Sequence, residues 1–149
     1  MEGHSWTLRV CRAEPGEANV FTRQHRFRVG APVSFDQADT AVSALEYVLG
    51  AIGADLVNGL QALARKGRIP IEQIEAVVEG ELNNPLIYLG VVGEIGHPGL
   101  EKVCVRVSLA SSATEEALQH LWQKMLASSP LVRTFQAAMQ LELSLQVVM

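Results

Sequence analysis

The residues with the greatest capacity for chemistry are a carboxylate, a serine ahead of a proline, and two cysteines. Asp55 stands near the middle of an otherwise apolar stretch from Leu45 to Leu56. An unpaired buried carboxylate there would cost several kcal/mol, so Asp55 needs a partner, a raised pKa or a route to water. Asn58, three residues on, could supply a hydrogen bond, and a basic side chain from a second subunit is another candidate. Such a group could act as a pocket acid, general base or ligand anchor. The plainer reading is a satisfied buried polar residue at a subunit interface. Ser129-Pro130 reads as the N-cap and first residue of a helix. Glu46 follows Ser43 by three residues, which marks a capping box and explains it locally. Cys11 and Cys104 fall on the polar sides of alternating segments, among Arg9, Lys102 and Arg106, where cations favour a thiolate. His4, His25, His97 and His120 show no ligand spacing, so neither a metal nor another cofactor is expected.

The bulk composition constrains the partners. A net charge of −4 argues against nucleic acid, which needs concentrated Lys and Arg. The basic stretch Arg23, His25, Arg26 and Arg28 reads as a solvated strand face. No apolar run reaches the roughly 20 uncharged residues of a membrane span. Met1-Glu2-Gly3-His4 has neither a basic nor an apolar leader region, so a cytoplasmic setting and reduced thiols are the expectation. With 149 residues, 48% apolar and 19% charged, residues 1–149 are expected to form one domain.

The elements that must position these groups follow from periodicity. Trp6, Leu8 and Val10 alternate with polar residues, predicting a half-buried strand. Glu14-Pro15-Gly16-Glu17 predicts a turn. Phe21, Arg23, His25, Phe27 and Val29 predict a second strand, paired with the first as a hairpin, and Val33–Phe35 suits a short third one. The capping box opens a helix running to about Lys66, with Gly67 as its C′ residue. From Leu45 to Leu56 this helix is apolar nearly all round, as a buried central helix is. Its Gly50, Gly53 and Gly59 suggest close packing against other elements.

Ile71–Leu82 predicts a strand. Leu86–Val92 suits either a strand or a short helix, and Gly93, Gly96 and Gly99 a loop. Val103, Val105, Val107 and Leu109 predict another strand. Ser112-Ala113-Thr114-Glu115 reads as a second capping box, and Leu118, Leu121, Trp122, Met125 and Leu126 as the core face of its helix. A short helix from Pro130 to about Phe135 and a strand over Leu141–Val147 complete an α+β chain. Its sheet is expected to be antiparallel, with helices on the apolar face.

From about Phe21 onward this order resembles the OsmC/Ohr family of stress-related thiol peroxidases. The family's Pro-x-Glu-x-Leu segment leading to a cysteine is matched by the stretch from Ala44 to Asp55. Its helix end and turn are matched by Ala64-Arg65-Lys66-Gly67-Arg68-Ile69-Pro70. Val77-Val78-Glu79-Gly80 matches its valine-rich strand, and the run from Gly99 to Val107 the strand before the second helix. Ser129-Pro130-Leu131 stands where the family has Cys-Pro, as in a subgroup with Ser-Pro.

The resemblance implies an OsmC-like fold. It also implies an intertwined homodimer in which two central helices pack together. The family's peroxidatic thiolate attacks the peroxide O–O bond and a second thiol resolves the sulfenic acid. Those two positions carry over to Asp55 and Ser129, neither of which can do this. The family's acidic partner matches Glu46, or Leu45 one residue earlier. Its activating arginine has no secure counterpart, with Arg23 and Arg26 as candidates. The expectation is therefore an OsmC-like protein without thiol peroxidase activity. Its interface pocket would persist as a site for a small apolar ligand, with Asp55, Glu46 and Ser129 as its polar groups. The alternatives are a hydroperoxide reductase using Cys11 or Cys104, and an acid–base enzyme using Asp55.

Overall fold

The computed structural model describes residues 3–148 and divides into two compact units, with the boundary between Val48 and Leu49. The first unit holds a three-stranded sheet in the order β1-β2-β3, formed by Arg9–Arg12, Ala18–Thr22 and His25–Val29, all antiparallel. The β1–β2 turn forms as Pro15-Gly16 dictates: Gly16 has φ +80° and the Glu17 N–H donates to the Glu14 carbonyl at 2.9 Å.

Three expectations for this unit are corrected. The segment from Phe21 to Val29 is two strands, because Arg23 and Gln24 form a two-residue turn with Arg23 at φ 51°. The register pairs Thr22 with His25 and Val20 with Phe27, so residues of opposite parity share a face and Phe21 lies on the other face from Phe27. The continuous alternation along the sequence therefore does not describe one strand. Val33–Phe35 forms no strand. It runs into a loop closed by its own side chains, in which the Ser34 hydroxyl donates to the Asp39 carboxylate and the Ala38 N–H to Asp36 Oδ1. The first predicted strand is shortened to β1, which leaves Trp6 and Leu8 outside it, and it is not half-buried, since Val10 is 61% exposed.

Helix α1, Ala44–Lys66, begins in the first unit and continues into the second. Its capping box is complete: Glu46 N–H donates to Ser43 Oγ at 3.1 Å and Ser43 N–H to Glu46 Oε1 at 3.0 Å. Tyr47 donates to the Arg28 carbonyl at 2.7 Å and its ring lies 5.3 Å from that of Phe27. The far end closes one residue later than expected. Ile69 N–H donates to the Ala64 carbonyl and Arg68 N–H to that of Arg65, the paired bonds of a Schellman motif with Arg68, at φ 55°, as the left-handed residue. Gly67 is not at positive φ. Arg68→Gly should therefore raise unfolding stability by about 1 kcal/mol, since a side chain in this conformation costs about that much. Chemical denaturation checks this, and an unchanged midpoint would mean that Arg68 is not strained there.

In the second unit, β5 (Leu100–Ala110) lies between β4 (Gln73–Leu82) and β6 (Gln140–Val148). β4 and β5 are antiparallel as expected, whereas β5 and β6 are parallel. A parallel neighbour needs a long crossover, and α3 (Glu115–Ser128) with α4 (Pro130–Ala138) supplies it. The N-cap of α3 is Thr114, which accepts from Ala117 N–H at 3.2 Å, and not Ser112. Glu115 and Glu116 then stand in the first turn, against the positive helix end. Leu86–Val92 resolves as the single helical turn α2, Pro85–Tyr88, capped by Asn84.

The core joins Val103, Val105 and Val107 of β5 to Ile52, Leu56, Leu60 and Ala64 of α1 and to Leu121, Trp122 and Met125 of α3. α1 is long and apolar enough to cross a bilayer by length and composition, yet these residues pack it as a core helix. Within one chain only this side is buried. Val48, Gly50, Ala51 and Ala54 are exposed, which departs from the burial expected all round. The glycines divide in the same way. A Cβ at Gly53 would stand 2.7 Å from Val78 Cγ2, and one at Gly59 would collide with Met125, but one at Gly50 would meet nothing within 4 Å.

Candidate functional site

The helical break at Ser129 sets the site. Its N–H donates to the Met125 carbonyl at 3.1 Å and closes α3, while its Oγ accepts from Val132 N–H at 3.0 Å and caps α4. Pro130 suits the first helical position, where no backbone donor is needed. With its lone pair engaged, the hydroxyl donates its proton to Asp55 Oδ2 at 2.5 Å. That length is typical of an O–H···O⁻ bond. Ser129 is 4% exposed and Asp55 is half-buried, so the carboxylate has both a partner and access to water. Asn58 is not that partner, because its Oδ1 accepts from Gln61 Nε2 at 3.2 Å.

Two side chains 74 residues apart in sequence are thus in direct contact, and they are the two matched above to redox cysteines. The backbone donor of Val132 was missed as a member of the site, although Ser-Pro at a helix start implies a capped N–H three residues on. Chemically, the pair can hold a hydrogen-bonding ligand at the free carboxylate oxygen. It is poorly arranged for nucleophilic attack, since Ser129 is buried and its oxygen is fixed in place as the cap of α4.

Glu46 does not join this contact. Its carboxylate is held instead by the cap at the start of α1. The Ser43 backbone N–H, with help from the Ser43 hydroxyl, holds the Glu46 carboxyl below its ordinary 4.5. Glu79 is lowered too, by the hydrogen bond and charge of Arg106, 2.8 Å away on the outer face of the sheet. A carboxyl whose folded pKa is depressed contributes stability above its unfolded value, and loses it as pH falls through the folded value. Stability should accordingly fall below about pH 4.5. The fall should be shallower in Glu46→Gln and Glu79→Gln variants, followed by thermal unfolding at stepped pH. Parallel pH profiles for variants and wild type would contradict it.

The cysteines are free, one in each unit, and each is paired with an arginine two residues along its own strand. Arg9 Nη1 lies 3.9 Å from Cys11 Sγ and Arg106 Nη1 lies 3.8 Å from Cys104 Sγ. Of the candidate arginines, Arg23 forms the β2–β3 turn and Arg26 is exposed opposite Phe21. Among the described residues no group of His, Cys, Asp and Glu could hold a metal.

The fold, one helix running into a strand–helix–strand sheet with a Ser-capped crossover, is that of known structures. An OsmC-like protein from Mycoplasma pneumoniae superposes with a TM-score of 0.76 at 16% identity, over 99% of this chain and 98% of its own. An organic hydroperoxide resistance protein from Elizabethkingia anophelis, solved with thiocyanate bound, gives 0.69 at 16% identity over 99% and 100%. A putative osmotic stress induced and detoxification response protein from Psychrobacter arcticus gives 0.70 at 12% over 98% of each chain. The architecture is therefore the OsmC-like α+β fold. The family model described as OsmC-like protein matches residues 37–144, and the chain belongs to that family. No curated protein matches the sequence.

Proposed function

We propose that this chain is an OsmC-like stress-related protein whose family site has exchanged thiol peroxidase chemistry for small-ligand binding. The observation that carries this reading is the Asp55–Ser129 hydrogen bond at 2.5 Å. The pair keeps the two positions in contact, but neither side chain can form a sulfenic acid or a disulfide. Asp55, with Ser129 behind it, anchors the polar end of a small, mainly apolar ligand. Glu46 contributes through the cap that fixes the start of α1.

The working unit is a homodimer. In support, the exposed side of α1 carries the small residues Gly50, Ala51 and Ala54, and nothing within the chain explains Gly50. Small residues allow two helices to approach closely. Sedimentation velocity should give a dimer, and a monomer at micromolar concentration would refute this part.

The competing reading uses Cys11 or Cys104, each beside an arginine. Consumption of cumene hydroperoxide with a dithiol reductant separates the two. The proposal expects no protein-dependent turnover in the wild type. Turnover that disappears in Cys11→Ser/Cys104→Ser would overturn it in favour of a relocated redox centre.

A further inference from the structure

We infer that a second site, a groove between the end of α1 and the middle of α3, binds a small monocarboxylate with a short apolar tail. The groove has a volume of about 190 Å³ and is lined by Leu63, Lys66, Gly67, Ile69, His120, Leu121 and Lys124. Leu63, Lys66 and Gly67 share one face of α1 by their spacing of three and four. His120 and Lys124 are spaced by four on α3 and flank Leu121. The floor is aliphatic and the polar rim carries only basic side chains. No carboxylate lines it.

The basic side chains of the rim are uncommitted. Among the described residues the side chains of Lys66, His120 and Lys124 make no hydrogen bond or ion pair. Lys66 is not needed to cap its helix, because Gly67, Arg68 and Ile69 N–H groups already take the carbonyls of Leu63, Arg65 and Ala64.

Gly67 supplies an independent observation. Its φ is not positive, so the backbone does not require glycine. A Cβ there would meet Ile69 Cδ1 at 3.6 Å and the Leu63 carbonyl at 3.5 Å, ordinary contacts that packing tolerates. What the missing side chain does is leave the groove open beside Ile69. A cavity of about 150 Å³ accommodates benzene, so this groove holds a short alkyl chain or one ring. Its rim supplies two ammonium groups for the carboxylate.

Leu and Ile methyl spectra recorded during titration with hexanoate, and separately with hexanol, test this. Hexanoate should shift the methyls of Leu63, Ile69 and Leu121 saturably, and hexanol at least tenfold more weakly. Lys66→Gln/Lys124→Gln should weaken hexanoate about tenfold, the equivalent of one hydrogen bond to a charged group. Gly67→Leu should abolish binding while the remaining spectrum stays dispersed. Shifts at other methyls, no shifts, equal affinity for hexanol, or wild-type affinity in the lysine variant would each overturn the assignment.

Discussion

Ser129→Ala should destabilise the protein by about 2–4 kcal/mol, from the lost cap of α4 and the lost bond to an ionised carboxylate. For a chain of this length that lowers the melting temperature by roughly 5–15 °C. Asp55→Ala should cost less, because the cap on Val132 survives and only the 2.5 Å bond disappears. Asp55 is half-exposed and recovers some hydration when unpartnered, which places the Ser129 effect toward the lower part of that range. The double-mutant cycle isolates the bond itself. A coupling of about 1–2 kcal/mol in denaturant unfolding is expected, and additive single effects would mean that the two side chains do not interact.

The glycines of α1 give the second large contrast, because the same substitution has opposite consequences at two positions three residues apart. Gly53→Ala places a methyl 2.7 Å from Val78 Cγ2, and a β-branched valine on a packed strand has little freedom to turn away. A loss of about 1–3 kcal/mol is expected. At Gly50 a methyl meets nothing, so Gly50→Ala should stabilise the isolated chain by about 1 kcal/mol through helix propensity alone. If α1 packs against a second copy, the same change should weaken association in sedimentation experiments. Stabilisation by both substitutions in unfolding curves would contradict the packing at Gly53.

These contrasts show where sequence was informative. The order of elements, the capping box at Ser43 and the N-cap at Ser129 were legible, because capping chemistry is local and leaves residue types at fixed spacings. Features decided by tertiary context were not. The Arg23-Gln24 turn lacks glycine, asparagine or aspartate, so no residue type marked the break between two strands. The direction of β6 depends on the route taken by α3 and α4, which alternation along β6 does not encode. Gly67 stood at the expected end of α1, yet the left-handed residue is Arg68, since residue type is only a preference for that conformation. At the site, Asp55 was recognisable as a residue that needs a partner. That the partner would be Ser129 followed only from the resemblance to the family and the contact in the fold.

The central claim is that Asp55 and Ser129 occupy the places of a redox pair and preserve its contact without its chemistry. Asp55→Cys/Ser129→Cys, made in a Cys11→Ser/Cys104→Ser background, tests it most directly. One equivalent of organic hydroperoxide should oxidise the two thiols to an intramolecular disulfide, with the peroxide reduced to alcohol and water. Thiol titration and intact mass should show two thiols and two hydrogens lost per chain, reversed by dithiothreitol. Two thiols that remain free under these conditions in a folded variant, or that cross-link only between chains, would contradict the claim.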